Sequence, residues 1–400
     1  MPDGSGRPAG HNTEFIATRK ASDVSTNSNR LRVAVVGVGA LGRHHARILS
    51  QLPEVELVAV ADANSQQGQA VADSCGCIWT PDYRTLLGSI DAVSIVVPTF
   101  LHRAVAEEFL CHSIPVLVEK PLTASVEEGT ILVRLAREHG IPLQVGHIER
   151  FNPAFQAAAT QVQNPKYIRC QRVSPYAFRS MDIGAVHDLM IHDLELVLAL
   201  TGEMPTRVEA FGVSLVGGHE DCVQARLTFP GGCIADLTAN RVAPQTLRTL
   251  ECWSESGCVQ ADLNARTVTS FRPGEPLLRG ELPFELVQQG HHSAAELKPE
   301  IFSRFIHQEK MNASDEDALT LELRSFLHCV QTGQTPLVSG QQGLAALKVA
   351  EAILQQVDQH AWDGTLEGRT GPNVLIHHFA PTTQAPNTLA PAAGTGSKAA

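Results

Sequence analysis

Three groups of residues in this chain have the types and spacing that chemistry requires. Gly37-Val38-Gly39-Ala40-Leu41-Gly42 reads GxGxxG and lies between an apolar, β-branched run (Leu31 to Val36) and a helical stretch. In that context the first glycine permits a tight turn, the second lets a pyrophosphate approach the backbone, and the third lets helix and strand pack closely. The helix start, at Ala40 and Leu41, offers N–H groups and partial positive charge to phosphates. Asp62 ends the next apolar run, at the separation where a ribose-binding acid is expected. A carboxylate there accepts hydrogen bonds from ribose hydroxyls and repels a 2′-phosphate. Neither Ala63 nor Asn64 can receive such a phosphate, so the pattern favours NAD over NADP.

The second and third groups are Glu119-Lys120-Pro121 and the pair Asp188 and His192. Apolar neighbours and Pro121 desolvate Lys120, which suits it to proton chemistry; pairing with Glu119 or with a phosphate suits it too. Asp188 and His192 stand i, i+4 in an apolar helix and share one face. An Asp bonded to one ring nitrogen fixes the tautomer and leaves the other nitrogen to act as a base on a hydroxyl whose carbon gives up a hydride. A lysine cation nearby stabilises the developing alkoxide. Capping or core use of the same pair remains open. His187-Asp188 and His192-Asp193 also have metal-ligand character, but no Cys or third His converges on them, so no metal is expected.

The elements that must position these groups fall into two halves. Strands at Leu31–Val36, Val55–Ala61, Ala92–Val97, Pro115–Glu119 and Pro142–Val145 alternate with helices, one of which opens with Ser125 and Glu128 in capping-box spacing. That alternation predicts a doubly wound parallel sheet, with ligands at the strands' carboxyl ends. Pro98, Thr99 and His102 follow one such end. After Gly146 the texture changes. A helix from about Pro153, a strand over Tyr167–Val173 and an apolar helix over Ala185–Leu200 precede a run of strands from Arg207 to Phe271, separated by glycine turns. Their in–out alternation predicts a large, mostly antiparallel, open sheet in an α+β domain. Gln288 to Asp315 reads as a long surface loop, and two helices, about Glu316–Thr332 and Gln341–Gln356, close the second domain. The expected division is a disordered tail over 1–30, a dinucleotide-binding domain over 31–148, a substrate and oligomerisation domain over 149–378, and a second tail over 379–400.

Composition bounds the function. The chain has 400 residues, 43% hydrophobic and 18% charged, which is enough for two cores. A net charge of −11 argues against nucleic acid and anionic membranes as partners. Nine scattered cysteines without a CxxC pair read as reduced thiols, and no apolar run suits a signal peptide or a membrane span. A cytoplasmic protein is expected.

The glycine turn, the Glu119-Lys120-Pro121 triplet and the Asp188…His192 helix, in that order before an antiparallel sheet, resemble the glucose-fructose oxidoreductase/inositol dehydrogenase (Gfo/Idh/MocA) family over about Leu31 to Gln356. The resemblance implies a Rossmann domain binding NAD through Gly37, Gly39, Ala40, Leu41, Gly42 and Asp62, with Pro98, Thr99, His102, Glu119 and Lys120 at the cofactor. It implies Lys120 and His192 as the catalytic pair, Asp188 in the substrate cleft, and a homodimer or homotetramer formed through the open sheet face. A narrower resemblance, carried by Val145-Gly146-His147-Ile148-Glu149-Arg150-Phe151-Asn152-Pro153 and supported by Asn240-Arg241 and Leu321 to Phe326, is to UDP-N-acetylglucosamine 3-dehydrogenases. It implies Glu149, Arg150, Asn152 and Arg241 as substrate-binding residues, a 3-keto nucleotide sugar as product, and a sugar aminotransferase downstream. Arg150, Arg172, Arg179 and Arg241 are available for a diphosphate. A free sugar, inositol or a uronate derivative is the alternative substrate. The alternatives of other kinds are a non-catalytic NAD-binding sensor and NAD-assisted glycosidase chemistry.

Overall fold

The structure, a computed structural model, describes residues 30–178, 183–216, 218–365 and 368–375. Both expected tails and Arg179 lie outside them. Six parallel strands form the first sheet: β1 (Leu31–Val36), β2 (Val55–Ala61), β3 (Ile78–Thr80), β4 (Ala92–Ile95), β5 (Val116–Glu119) and β6 (Leu143–Gly146), in the order β3-β2-β1-β4-β5-β6. β1, β4, β5 and β6 are apolar because helices cover both faces: α1 (Gly42–Gln51), α2 (Ser65–Cys75), α3 (Thr99–Cys111) and α4 (Val126–His139). Ser125 caps α4 by accepting the Glu128 N–H. β3 is too short to show a period of its own and escaped the sequence pattern. The strand order reverses between β1 and β4, and the crevice at their carboxyl ends is where such sheets bind ligands.

After α5 (Pro153–Ala159), β7 (Tyr167–Val173) enters the middle of a second sheet of eight strands. The others are β8 (Arg207–Val213), β9 (Cys222–Thr228), β10 (Ile234–Asn240), β11 (Leu247–Ser254), β12 (Gly257–Asp262), β13 (Thr267–Pro273) and β14 (Ile306–Asn312), in the order β14-β13-β12-β11-β7-β10-β9-β8. All neighbours are antiparallel except β7 and β10. One face packs on α6 (Ile191–Thr201) and the long closing helix α8 (Gly340–Gln359), through residues such as Leu194, Val197, Ala350 and Ile353.

Two sequence expectations are corrected here. The segment 288–315 is not a loop throughout: Ile306–Asn312 pairs antiparallel with β13 as an edge strand. Its side chains are almost all exposed, so no in–out alternation marked it. The helix α7 (Ala318–Thr332) does not close the second domain. Leu319, Leu323, Phe326 and Leu327 complete the core beside α1, so the chain crosses back to the first sheet before α8 begins. Sequence order alone gave no sign of which core this amphipathic face would choose.

Candidate active site

Gly37 has φ +84°, and a Cβ there would stand 2.5 Å from the Val96 carbonyl oxygen. At Gly42 a Cβ would meet the Gly37 carbonyl at 1.9 Å. Both glycines are therefore demanded by backbone packing. Gly39 differs, since its nearest neighbour would be Gln67 Nε2 at 3.9 Å, so the space before it is open. The start of α1 carries no side-chain cap and no acidic residue in its first turn, which leaves its N–H groups for an anion. Asp62 Oδ2 accepts the Val38 N–H at 2.8 Å and lies 3.3 Å from Gln67 Nε2, while Oδ1 accepts the Asn64 N–H. The carboxylate thus sits at the mouth of the glycine turn. A pyrophosphate and a ribose fit this cradle, and the residues present suit a nicotinamide dinucleotide.

Pro98 precedes α3, which Thr99 opens. His102 is 1% exposed, with Nδ1 2.9 Å from the Pro121 carbonyl and Nε2 2.9 Å from the Val97 carbonyl. It braces the end of β4 against the Lys120–Pro121 bond, which is cis. Glu119 turns back beneath the site: Oε1 lies 3.3 Å from His45 Nε2, and Oε2 accepts the Lys120 N–H. A Cβ at residue 146 would come within 2.8 Å of that carboxylate, which would have to shift to admit one.

Lys120 reaches across the crevice to the second domain. Nζ donates to the Asp188 carbonyl oxygen at 2.9 Å and lies 3.8 Å from its Oδ1. The helix expected over 185–200 opens with a π turn, Val186–Met190, before α6. Such bulges re-aim backbone and side chains at functional sites. Asp188 therefore faces Lys120, not the His192 ring, and the expected Asp188–His192 hydrogen bond is absent: His192 Nδ1 has no partner. Burial, with help from the Lys120 cation, pushes the His192 pKa well below the imidazole range and keeps the ring neutral. His147 lies edge-on to it, centroids 6.4 Å apart, with its pKa lowered to about 3 by burial first and then Lys120. Lys120, Asp188 and His192 are thus brought together as a cation, a carboxylate and a neutral base.

The remaining candidates are held by internal contacts. Arg172 donates to both oxygens of Asp193 and to Glu149 Oε1 at 2.7 Å. Glu149 also accepts from Asn152 Nδ2, and Asn152 Oδ1 caps α5 through the Ala154 N–H. Arg150 pairs with Glu195 at 2.9 Å, and the two line a cavity of about 350 Å³ together with Lys348. Arg241 is 5% exposed, bonded to Asp221 and to the Ile183 carbonyl. The structure does not bring Arg150 and Arg241 together. Sequence reasoning gave no role to His147, Glu195 and Glu322; the signal was there for Glu322, which occupies a core position of the apolar face of α7. Among the described residues, no group of three or more His, Cys, Asp or Glu is placed to hold a metal, and no helix is long and apolar enough to cross a membrane.

The model of the oxidoreductase family with NAD-binding Rossmann fold, GFO/IDH/MocA, matches residues 31–147, and that of the GFO/IDH/MocA C-terminal domain matches 154–260. UDP-N-acetylglucosamine 3-dehydrogenase of Acidithiobacillus ferrooxidans is 33% identical over 334 residues, covering 82% of this chain and 99% of that one. The chain belongs to the GFO/IDH/MocA oxidoreductase family. A solved structure of the same Acidithiobacillus protein superposes with a TM-score of 0.72 at 31% identity, over 82% of this chain and 97% of the other. The scyllo-inositol 2-dehydrogenase (NAD⁺) of Bacillus subtilis is 28% identical, over 78% of this chain and 89% of its own. The chain is accordingly an NAD-binding oxidoreductase acting on CH–OH groups. This displaces the sensor reading, for which no acid–base pair is needed.

Proposed function

We propose that this enzyme oxidises a secondary hydroxyl of a sugar with NAD, the 3-hydroxyl of UDP-N-acetylglucosamine being the best-supported substrate. The observation that carries the chemistry is the Lys120 ammonium held against Asp188, beside a buried, neutral His192. The glycine turn, Asp62 and the start of α1 hold the dinucleotide, which supplies the carbon that takes the hydride. Lys120 holds the hydroxyl oxygen and stabilises the alkoxide as it forms. His192 accepts the hydroxyl proton, which a neutral ring can do and an imidazolium cannot. Asp188 fixes the position of the Lys120 ammonium. The near full-length likeness to the Acidithiobacillus dehydrogenase supports the nucleotide sugar.

One observation favours a second reading. Of the arginines available for a diphosphate, Arg150, Arg172 and Arg241 are each already paired with a carboxylate, and Arg179 lies outside the described residues. An uncharged polyol needs no such arginine, and inositol dehydrogenases are among the relatives. A panel of UDP-N-acetylglucosamine, UDP-glucose, myo-inositol and glucose, followed by NADH absorbance with and without a glutamate-dependent sugar aminotransferase, separates the two. A signal confined to myo-inositol would overturn the nucleotide-sugar reading.

NAD is the preferred cofactor in this proposal, because the Asp62 carboxylate occupies the place of a 2′-phosphate. Asp62→Ala is expected to lower the NAD-over-NADP ratio of kcat/KM by about tenfold or more, the scale of removing one like charge at close range. An unchanged ratio would refute the assignment. Pairing of subunits through the outer face of the large sheet belongs to the same reading. That face carries Arg226–Asp236 and Arg169–Glu251 ion pairs and the half-exposed Trp253.

A further inference from the structure

Oxidation of a hydroxyl releases a proton into the site. In the reading above, the C–H bond breaks with its electron pair going to the nicotinamide dinucleotide. The O–H bond breaks with its proton going to His192, and the C=O bond forms. For the next turnover His192 must pass that proton to solvent.

The residues behind His192 form two parallel tracks. His192 and Glu195 are i, i+3 on α6 and share a face. His147 and Arg150 are i, i+3 along the 3₁₀ turn Ile148–Phe151. The tracks meet twice: at the inner end the two imidazoles stand edge-on, 6.4 Å between centroids, and at the outer end Arg150 donates to Glu195 at 2.9 Å. Arg150 and Glu195 line the 350 Å³ cavity, which is open to solvent. Along this line His192 Nδ1, both ring nitrogens of His147 and Glu195 Oε2 are buried without a protein partner. A buried polar atom left unpaired costs about 1–3 kcal/mol, so four in one line mark groups kept for something other than stability. Ring nitrogens on both imidazoles lack a protein partner, and a bridging water is an ordinary link between such groups. We propose that His147 and Glu195 are a proton path from His192 to the Arg150 cavity, an inference that rests on the dehydrogenase reading of the site.

The surroundings suit transfer. His147 faces the Lys120 and Arg150 cations, which oppose protonation, so it passes a proton from one nitrogen to the other without storing it. His192 faces Lys120, Arg172, Arg248 and His147. Glu195 faces Arg150, and burial raises its pKa to about 7 despite that cation. Glu322, wholly buried on α7, faces Glu119 and Glu195, and its two carboxyl oxygens have no hydrogen-bond partner. Burial and these like charges raise its pKa well above the usual range, so it stays protonated beside Glu195.

The test uses the whole enzyme with NAD and a substrate in excess, following hydride transfer by NADH absorbance and proton release by an indicator dye in one rapid-mixing experiment. Wild type is expected to release the proton in step with hydride transfer. Glu195→Gln keeps the volume and the Arg150 contact, and is expected to delay proton release at least tenfold while leaving first-turnover hydride transfer unchanged. Added imidazole buffer should restore the rate. His147→Phe should behave alike. Synchronous release in both variants, or a delay that buffer does not relieve, would overturn the path. Infrared titration of the cofactor-free protein gives a second readout. A carboxyl band titrating near neutrality should be present in wild type and lost in Glu195→Gln, and a Glu195 ionised throughout would also overturn the path. Absence of hydride transfer with every sugar would count against the dehydrogenase reading alone, and the infrared titration then decides the path.

Discussion

Lys120→Met is expected to lower kcat by about two to three orders of magnitude while leaving NAD binding within a few-fold of wild type. In the proposed reaction the ammonium would stand against the forming alkoxide. Removing one preorganised electrostatic donor of this kind costs roughly 3–4 kcal/mol of transition-state stabilisation. Methionine keeps the stem's volume, and the glycine turn proposed to hold the dinucleotide lies on a different strand end, so the ground-state complex is expected to survive. His192→Asn is expected to lose activity on a similar scale, about 10²–10⁴-fold, as a general base does. The pH dependence follows from the same residue. Its pKa lies well below the imidazole range because the ring is buried beside Lys120. The acid limb of kcat/KM set by His192 should accordingly fall below the ordinary imidazole pKa. Steady-state kinetics, with NAD binding followed by fluorescence, check both variants. Near-normal turnover in either would remove that residue from the mechanism.

Arg172→Met is expected to destabilise the protein by about 3–5 kcal/mol at pH 7, the cost of breaking a buried ion pair by deleting one partner. Arg172 is 3% exposed and bonds Asp193 and Glu149 at once. Burial pushes the Glu149 carboxyl up, and the guanidinium more than offsets this, so Glu149 lies below the usual range. At Asp193 burial outweighs the same guanidinium and the pKa is raised. Without Arg172 Asp193 loses its ion-pair partner and Glu149 keeps only Asn152 and the more distant Arg248, so both folded-state pKa values are expected to rise above their unfolded ones. The native variant then binds more protons than its unfolded chain above about pH 4, so its stability falls as pH rises. The deficit against wild type should therefore shrink on going from pH 7 to 4.5. Urea unfolding at the two pH values measures it, and an equal deficit at both would show that packing, not charge, is what Arg172 provides. Glu149 also anchors Asn152, which starts α5, so the ion-pair cluster fixes the turn that carries His147.

Residues 31 to 147 were the most legible part of the chain. Buried parallel strands have no alternation to lose and are bounded by turn residues, and a glycine turn between strand and helix has few other uses. The chemical groups were legible as types: a lysine between apolar strand and proline, and an Asp and a His one turn apart. Their partners were not. Regular helical spacing pairs Asp188 with His192, whereas the π turn over Val186–Met190 points Asp188 at Lys120, and backbone bulges leave no period in a sequence. Glu149, Arg150, Asn152 and Arg241 were expected to bind substrate, and charge pattern says nothing about burial; tertiary packing pairs each of them inside the protein. The edge strand β14 and the choice of core by α7 were equally out of reach. Both depend on which distant segment offers a free backbone edge or a matching apolar face. Local periodicity thus determined the two halves, the glycine turn and the candidate reactive side chains. Only the tertiary structure decided which charges face one another, because that follows from burial and long-range pairing.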